Sequence, residues 1–580
     1  MKGRVIFTLV LPLLVGISSL GIFLIEGEPE SPFASLFNSL WWTVVTFTTV
    51  GYGDMSPVTV PGRTFGLFIL ATGVLINSII ISMISNWFFA LKSSRSAGLK
   101  PVSANEHILI CSDSPVFIQS LLDENHRFVK EGRAVIISPL TQHPLLGTSY
   151  EKIPWVHGDA YRVGILKKAS APLAEIAYVA FKDDADTVMT VMQLEVLSPG
   201  GRIKTMAQYQ IRDYQAHLMN VGCDYAIKTY DVYVPLMVQA CISQGAPVWV
   251  RDVILRLTGM PSLKRKGPLG EGKETTWLQH LIDSKRQLGE TPLGLIDTSG
   301  QLLVNPPANR LLLASDLVLT MVPPKPGDLG DHEQQAIPIQ GFESIKKEGH
   351  IIICSDNAPF IDRVLSELEL AGIFSEIIVL SPLKAFPDKV HVPELTWVQA
   401  SSFSDFGIGH THPTKARIAF IDHQRDSHTL MAVLRLESLT NGDIFTVASY
   451  KEPDFDERLI GVGCDYCVNV DELIAPIMSQ NAVHPGVGML IEQIISHKPE
   501  SQSLFVLTLT EQWEACSWID STAKLKETDE ILPLALIRAG DNRLMVSPHP
   551  EVTVNPGDRM ILITQADAKF EQAYFESYHL

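Results

Sequence analysis

Apolar and polar positions follow two different schemes along this chain, and the change falls near residue 100. Residues 5–25 form a run of 21 positions without a charge. At about 1.5 Å per helical residue the run reaches about 31 Å, the thickness of a hydrocarbon core. Residues 64–91 form a second uncharged run, of 28 positions. It reaches about 42 Å, so part of it is expected to tilt or to project beyond a bilayer. Between the two lies a shorter apolar stretch, 33–47, introduced by Ser31-Pro32, which predicts a helix N-cap with proline at the first helical position. That helix measures about 22 Å, too short to span, so it is predicted to re-enter. Irregular backbone at membrane depth survives only where it lines a water-filled cavity or is buried in protein. Thr48-Thr49-Val50-Gly51-Tyr52-Gly53-Asp54 follows the short helix directly.

Beyond residue 103 the pattern becomes one of short apolar runs alternating with helix-like segments. Strands are predicted over 135–137, 176–181 and 203–207, and helices over 117–122 and 187–197. This alternation predicts a parallel, doubly wound sheet. Short strands at 293–297 and 316–321 then predict a smaller lobe. The whole arrangement repeats. His107-Ile108-Leu109-Ile110-Cys111-Ser112-Asp113 returns as His350-Ile351-Ile352-Ile353-Cys354-Ser355-Asp356. Ser138-Pro139-Leu140 returns as Ser381-Pro382-Leu383, and Val221-Gly222-Cys223-Asp224-Tyr225 as Val462-Gly463-Cys464-Asp465-Tyr466. The offset stays at 241–243 residues, which marks a tandem duplication.

Charge adds an orientation. Lys2 and Arg4 flank the first long run, and Lys92, Arg95 and Lys100 follow the second. The connection between them carries Glu26, Glu28, Glu30 and Asp54 against Arg63. By the positive-inside rule both termini are expected in the cytoplasm, in a multi-pass protein of the cytoplasmic membrane. Residues 1–100 hold six Lys/Arg and four Asp/Glu, which leaves 40 basic and 60 acidic residues beyond and a net charge there of −20. Nucleic acid is therefore not an expected partner, since phosphates need basic patches. The seven cysteines are scattered, so no disulfide framework is expected. Cys464-x-x-Cys467 and the pair His410 and His412 lack the further ligands that zinc would need.

The stretch Thr49-Val50-Gly51-Tyr52-Gly53, preceded by Trp41-Trp42-Thr43-Val44-Val45-Thr46 and followed by Asp54, resembles the selectivity filter of potassium channels. The resemblance implies K⁺ as permeant ion, held by the backbone carbonyls of Thr49, Val50, Gly51 and Tyr52 and by the Thr49 hydroxyl. One chain supplies a quarter of such a filter, so a homotetramer in a lipid bilayer is implied. Gly73, 20 residues past Gly53, matches the family's gating hinge; helix packing is the alternative for such a glycine. Val74, Asn77, Ile81, Ser82 and Ser85 share one helical face and are expected to line the inner cavity. With two long runs and no arginine-rich helix, voltage sensing of the familiar kind is not expected.

The repeated units resemble RCK domains, regulators of K⁺ conductance, and the whole resembles prokaryotic two-span potassium channels with tandem RCK domains. The implied fold is an α-helical transmembrane pore domain followed by two α/β Rossmann-like domains, each with a smaller C-terminal α+β lobe. The expected boundaries are 1–103 for the pore domain and linker, 104–245 and 246–323 for the first unit's lobes, 324–349 for a linker, and 350–484 and 485–580 for the second unit's lobes. Four chains with two units each imply a cytoplasmic ring of eight domains. In these domains the first strand-to-helix turn usually binds a nucleotide through glycines. Here the turns read Cys111-Ser112-Asp113-Ser114-Pro115 and Cys354-Ser355-Asp356-Asn357-Ala358, with no glycine. Ser138 and Ser381 replace the acidic residue that holds a ribose. Asp113 and Asp356 repel phosphate, which weakens dinucleotide binding in both units. The first unit retains Gly158-Asp159, where the second has Ala400-Ser401. The candidate ligand-binding residues are Ser112, Asp113, Ser138, Gly158, Asp159, Ser355, Asp356 and Ser381. The ligand itself stays open between a nucleotide such as NAD, ADP or ATP and a divalent cation. For a cation, Gln208, Gln210, Ser449 and Lys451 stand where carboxylates would be wanted. Asp183, Asp184 and Asp186 are read as the solvated start of a helix. The expected function is a ligand-gated, potassium-selective channel with no enzymatic activity. The alternative is a membrane-tethered nucleotide or ion sensor that regulates another transporter.

Overall fold

Ser35, not Ser31, starts the short helix. The computed structural model describes all residues except 1, 97, 244, 255–260, 268–274, 324–336, 339–344, 347, 374, 385–393, 454, 499–500 and 566–580, and gives backbone alone at 2–11, 76–77, 79–80, 83–84, 86–96 and 337–338. The chain divides into two compact units, Met1–Leu99 and Lys100–Leu580.

The first unit holds three helices, Lys2–Glu26, Leu36–Phe47 and Val60–Ser96. The Ser35 hydroxyl accepts from the backbone N–H groups of Phe37 and Asn38, which fixes the start of the short helix at Leu36. Ser31 instead closes a turn, its hydroxyl accepting from Phe33 N–H at 3.1 Å. That turn lets Phe33 be buried edge-on against Trp42. Ile22, Phe33, Trp42, Phe47 and Ile69 form the core between the three helices. Gly62 opens room for the nearly inaccessible Glu26, whose carboxylate accepts from Thr59 N–H at 2.9 Å and Val58 N–H at 3.3 Å. A negative group there complements the positive end of the third helix. Among the described residues no helix is long and apolar enough to cross a membrane. Both uncharged runs, 5–25 and 64–91, extend over positions whose side chains lie outside the described residues.

The second unit contains two six-stranded parallel sheets with the same strand order. In the first, the order across the sheet is Trp155–His157, Ala134–Ser138, His107–Ser112, Ala174–Ala180, Lys204–Tyr209, Tyr225–Lys228. In the second it is Leu395–Gln399, Ile377–Ser381, His350–Ser355, Ala416–Asp422, Phe445–Tyr450, Tyr466–Asn469. The central strands are buried along their whole length, which explains their continuous apolar runs. Each order reverses at the first strand, and in such sheets ligand crevices lie at the carboxyl ends beside that reversal.

The two sheets exchange helices. Tyr230–Ile242, leaving the first sheet, packs on Ala358–Leu370 of the second. Val470–Val483, leaving the second, packs on Pro115–Glu124 of the first. A single apolar core runs through both sheets and both smaller lobes. Each lobe is an antiparallel sheet, four-stranded in the first and five-stranded in the second. Within the expected linker, Ile337–Pro338 pairs with Leu544 and Arg543 as an edge strand of the second lobe.

Candidate functional site

Backbone handedness alternates along the filter-like stretch. Thr49, Gly51 and Gly53 are left-handed, with φ of 59°, 55° and 72°, while Val50 and Tyr52 between them are not. Such alternation turns successive carbonyls toward one side, which a row of cation ligands requires. A Cβ at Gly51 or Gly53 would meet nothing within 4 Å, so these glycines serve conformation and not packing. The short helix leads straight into the stretch: Val50 N–H donates to Val45 C=O at 3.0 Å, and Thr49 N–H to Thr46 C=O at 3.1 Å. Behind it, Trp41 stacks on Tyr52 with ring centroids 6.0 Å apart and an interplanar angle of 4°. The Trp41 indole N–H donates to the Asp54 carboxylate at 3.2 Å. In a single chain the stretch is open, with Val50 at 54% and Tyr52 at 67% exposure.

Gly73 is buried and sits against the end of the short helix: an added Cβ would lie 2.8 Å from the Phe47 ring and 3.0 Å from Phe47 Cα. The third helix runs through it without a break. Val74, Ile81, Ser82 and Ser85 are exposed in the single chain. The side chain of Asn77 lies outside the described residues.

In the second unit, both first turns are closed by their own side chains. Ser112 Oγ accepts from Ser114 N–H at 3.0 Å, and Ser114 Oγ accepts from Phe117 N–H at 3.2 Å, capping the helix that follows. The Asp113 carboxylate accepts from Lys182 N–H at 3.2 Å. Burial raises its pKa, against the pull of backbone N–H groups and of Lys182. In the repeat, Ser355 accepts from Asn357 N–H at 3.0 Å and Asp356 from Gln424 N–H at 2.9 Å. The N–H groups that a phosphate would need are therefore partly engaged. Ser138 and Gly158 meet at the next strand ends, where Gly158 N–H donates to Ser138 C=O at 3.0 Å. Gly158 is left-handed (φ 139°), a conformation that L side chains rarely adopt, and an added Cβ there would lie 2.8 Å from the end of the Ile165 side chain. Asp159 pairs with Arg162 at 2.9 Å. Ser381 accepts from Leu383 N–H at 3.3 Å. All eight candidate ligand residues thus lie at or just beyond the carboxyl ends of the strands.

Asp184 corrects one expectation. It is buried, and its carboxylate accepts from Gln210 N–H at 2.9 Å and Ile211 N–H at 2.8 Å. Asp183, beside it, is the exposed N-cap. Asp426, the equivalent of Asp184 in the repeat, holds Lys451 N–H and Glu452 N–H in the same way, at 2.9 and 2.6 Å. The recurrence of Asp at this position in both units was the available signal for a structural role. Burial also pushes up the thiols of Cys464 and Cys467, the latter to about 12.

Sequence comparison matches residues 8–90 to an ion-channel domain and residues 128–229 to the TrkA-N domain. The protein called Probable potassium channel protein 2 of Methanocaldococcus jannaschii is 30% identical over 28% of this chain and 49% of its own length. The calcium-gated potassium channel TvoK of Thermoplasma volcanium is 23% identical over 39% of this chain and 64% of its own. The chain spans about half to two thirds of the length of these curated relatives. The human SLO3 gating ring superposes with a TM-score of 0.56 at 12% identity, over 80% of this chain and 100% of that one, and so shares the fold of the second unit. The chain therefore carries an ion-channel domain followed by Rossmann-like parallel sheets that include a TrkA-N domain, and over these regions it is similar to prokaryotic potassium channels.

Proposed function

We propose that this chain is one of four identical subunits of a K⁺-selective channel of the cytoplasmic membrane, gated by a ligand of its cytoplasmic domains. The observation that carries the proposal is the alternating backbone of Thr49, Gly51 and Gly53, braced by Trp41 against Asp54. Four such stretches around one axis would replace the hydration shell of K⁺ with carbonyls of Thr49, Val50, Gly51 and Tyr52 and the Thr49 hydroxyl. The exposure of Val50 and Tyr52 in one chain fits a face that other subunits and permeant ions complete.

The gating part rests on the tandem domains. Eight of them, two per chain, would form a ring in the cytoplasm, where ligand binding changes the pull on the third helix. Gly73 is the proposed bending point, and Val74, Asn77, Ile81, Ser82 and Ser85 the proposed cavity lining. The relative TvoK is named a calcium-gated channel, which supports ligand gating as a class. A nucleotide or a divalent cation at the first unit's strand ends, near Ser112, Asp113, Ser138, Gly158 and Asp159, is the proposed regulator; Ser355, Asp356 and Ser381 mark the equivalent place in the second unit. The proposal contains no catalytic step.

Flux from liposomes tests both parts. Reconstituted full-length protein should release K⁺, and deletion of residues 106–580 should abolish its dependence on ligand. Binding of a nucleotide without any ion flux would instead favour a tethered sensor for another transporter.

A further inference from the structure

The chain enters the second unit through residues 100–106, and this segment is fastened at three points. Val102 N–H donates to the Lys168 carbonyl at 2.7 Å, and the Ser170 hydroxyl donates to the Val102 carbonyl at 2.7 Å. Glu106 N–H donates to the Leu173 carbonyl at 2.8 Å. Val102 and Ala104 pack in the same apolar cluster as Ile165, Leu166 and Ala169. Ser170 reaches Val102 from a left-handed turn (φ 54°), a conformation costly to a residue with a side chain and kept only where the surroundings fix it.

The partner of this segment is the short helix Val163–Lys168, whose other end meets the loop at Gly158. Ile165 packs against Gly158. Arg162, just before the helix, pairs with the Asp159 carboxylate at 2.9 Å and donates its backbone N–H to the Asp159 carbonyl at 3.1 Å. The helix is about 9 Å long, and Leu166 in its middle is fully buried. One packed helical segment thus touches the candidate ligand loop at its start and the entering segment at its end.

The duplication supplies an internal control. Ile345 stands five residues before His350, as Val102 stands five residues before His107. Ile345 packs against the apolar core that holds Ile351 and Ile353, and not with the cluster that holds Ile408 of the equivalent helix Asp405–Gly409. His412, in the place of Ser170, is also left-handed (φ 47°) but is exposed. Among the described residues no hydrogen bond joins 345–349 to 405–412. The turn is common to both units, and the clamp belongs to the unit that follows the ion-channel domain.

We propose that Val163–Lys168 carries the state of the Gly158–Asp159 loop to the segment that follows the third helix. This rests on the ligand reading of that loop and adds the route by which it acts. A ligand charge of either sign competes for one member of the Asp159–Arg162 pair, an anion for Arg162 and a cation for Asp159. Either loosens the start of the helix, and a closely packed helix shifts as a unit. Its Lys168 carbonyl moves with it and draws on Val102. The ligand favours whichever helix position it fits.

The test is amide hydrogen exchange of the solubilised full-length protein, without added ligand, read over residues 100–106. Asp159→Ala and Gly158→Ala each disturb the start of the helix and touch nothing in that segment. Each should change exchange at Val102 by at least about threefold. Ser170→Gly keeps the left-handed turn and removes only the hydroxyl, and should speed exchange there by a similar factor. The strand His350–Ser355 reads general loosening and should keep its rate. Asp159→Ala, at a partly exposed position, carries the test if Gly158→Ala does not fold. If a folded variant of the loop leaves 100–106 unchanged, or if 350–355 changes as much, the proposal is overturned. Exchange is read without ion flux or ligand, so its failure leaves the channel and the ligand site standing, and their failure leaves the route standing.

Discussion

The Trp41 indole N–H donates to the Asp54 carboxylate at 3.2 Å, tying the short helix to the residue that ends the filter-like stretch. Trp41 also stacks on Tyr52, so one side chain braces the stretch at two points. Asp54→Asn and Trp41→Phe each weaken the brace, by on the order of 1 kcal/mol per subunit. Both variants should still assemble, and their K⁺-over-Na⁺ permeability ratio should fall, with Trp41→Phe keeping the stacking and losing only the hydrogen bond. Liposome flux with each ion reads the ratio.

Two glycines of the third helix should respond in opposite directions. Gly73→Ala forces a Cβ against the Phe47 backbone, 3.0 Å away, and should destabilise the first unit by about 1–3 kcal/mol. Gly66→Ala meets only ordinary contacts at 3.7 Å and should stabilise the helix by about 0.5–1 kcal/mol. Thermal unfolding in detergent distinguishes them. Equal effects would remove the packing role from Gly73.

Lys285 gives the second unit a pH dependence. Its ammonium is buried between the two smaller lobes, 2.7 Å from Ser547 Oγ and 3.3 Å from the Gly289 carbonyl and Thr291 Oγ1, and none of these partners is a carboxylate. Burial lowers its pKa from the ordinary 10.5 to about 7. Between these values the unfolded chain binds more protons, so stability rises with pH across the window and levels off below about 7. Lys285→Met should flatten that slope and stabilise the protein at neutral pH by about 1–4 kcal/mol. Unfolding midpoints at several pH values between neutral and alkaline check it.

Asp184 and Asp426 hold equivalent turns through their carboxylates. Alanine at either leaves partly buried N–H groups without their carboxylate partner and should cost about 1 kcal/mol. The two sites lie in different domains, so the double variant should lose close to the sum. Circular dichroism during denaturant unfolding gives the comparison.

Much of this architecture was legible in the sequence because it is written in local pattern. The runs at 108–111 and 135–137 are apolar without interruption, as strands covered on both faces must be. The fixed offset between the two CSD turns announced two copies of one fold, and both sheets have the same strand order. What escaped depends on distant partners. Ser31 and Ser35 are each followed by apolar residues, and only the burial of Phe33 against Trp42 decides which one caps. Asp184 reads as a helix-start carboxylate until the turn at 210–211 is seen to lie on it. The contact between Ser114 and Asp471 joins residues 357 positions apart, through a helix exchange that no periodicity encodes. Gln208 reads as a lost cation ligand, and its contact with Asp471 of the other domain follows only from the way the two sheets exchange helices.

The most direct test of the channel account is the reversal potential of the reconstituted full-length protein with K⁺ on one side of a bilayer and Na⁺ on the other. The account predicts a potential set by K⁺, with Na⁺ nearly excluded. A reversal potential at zero, with equal currents of both ions, would contradict it.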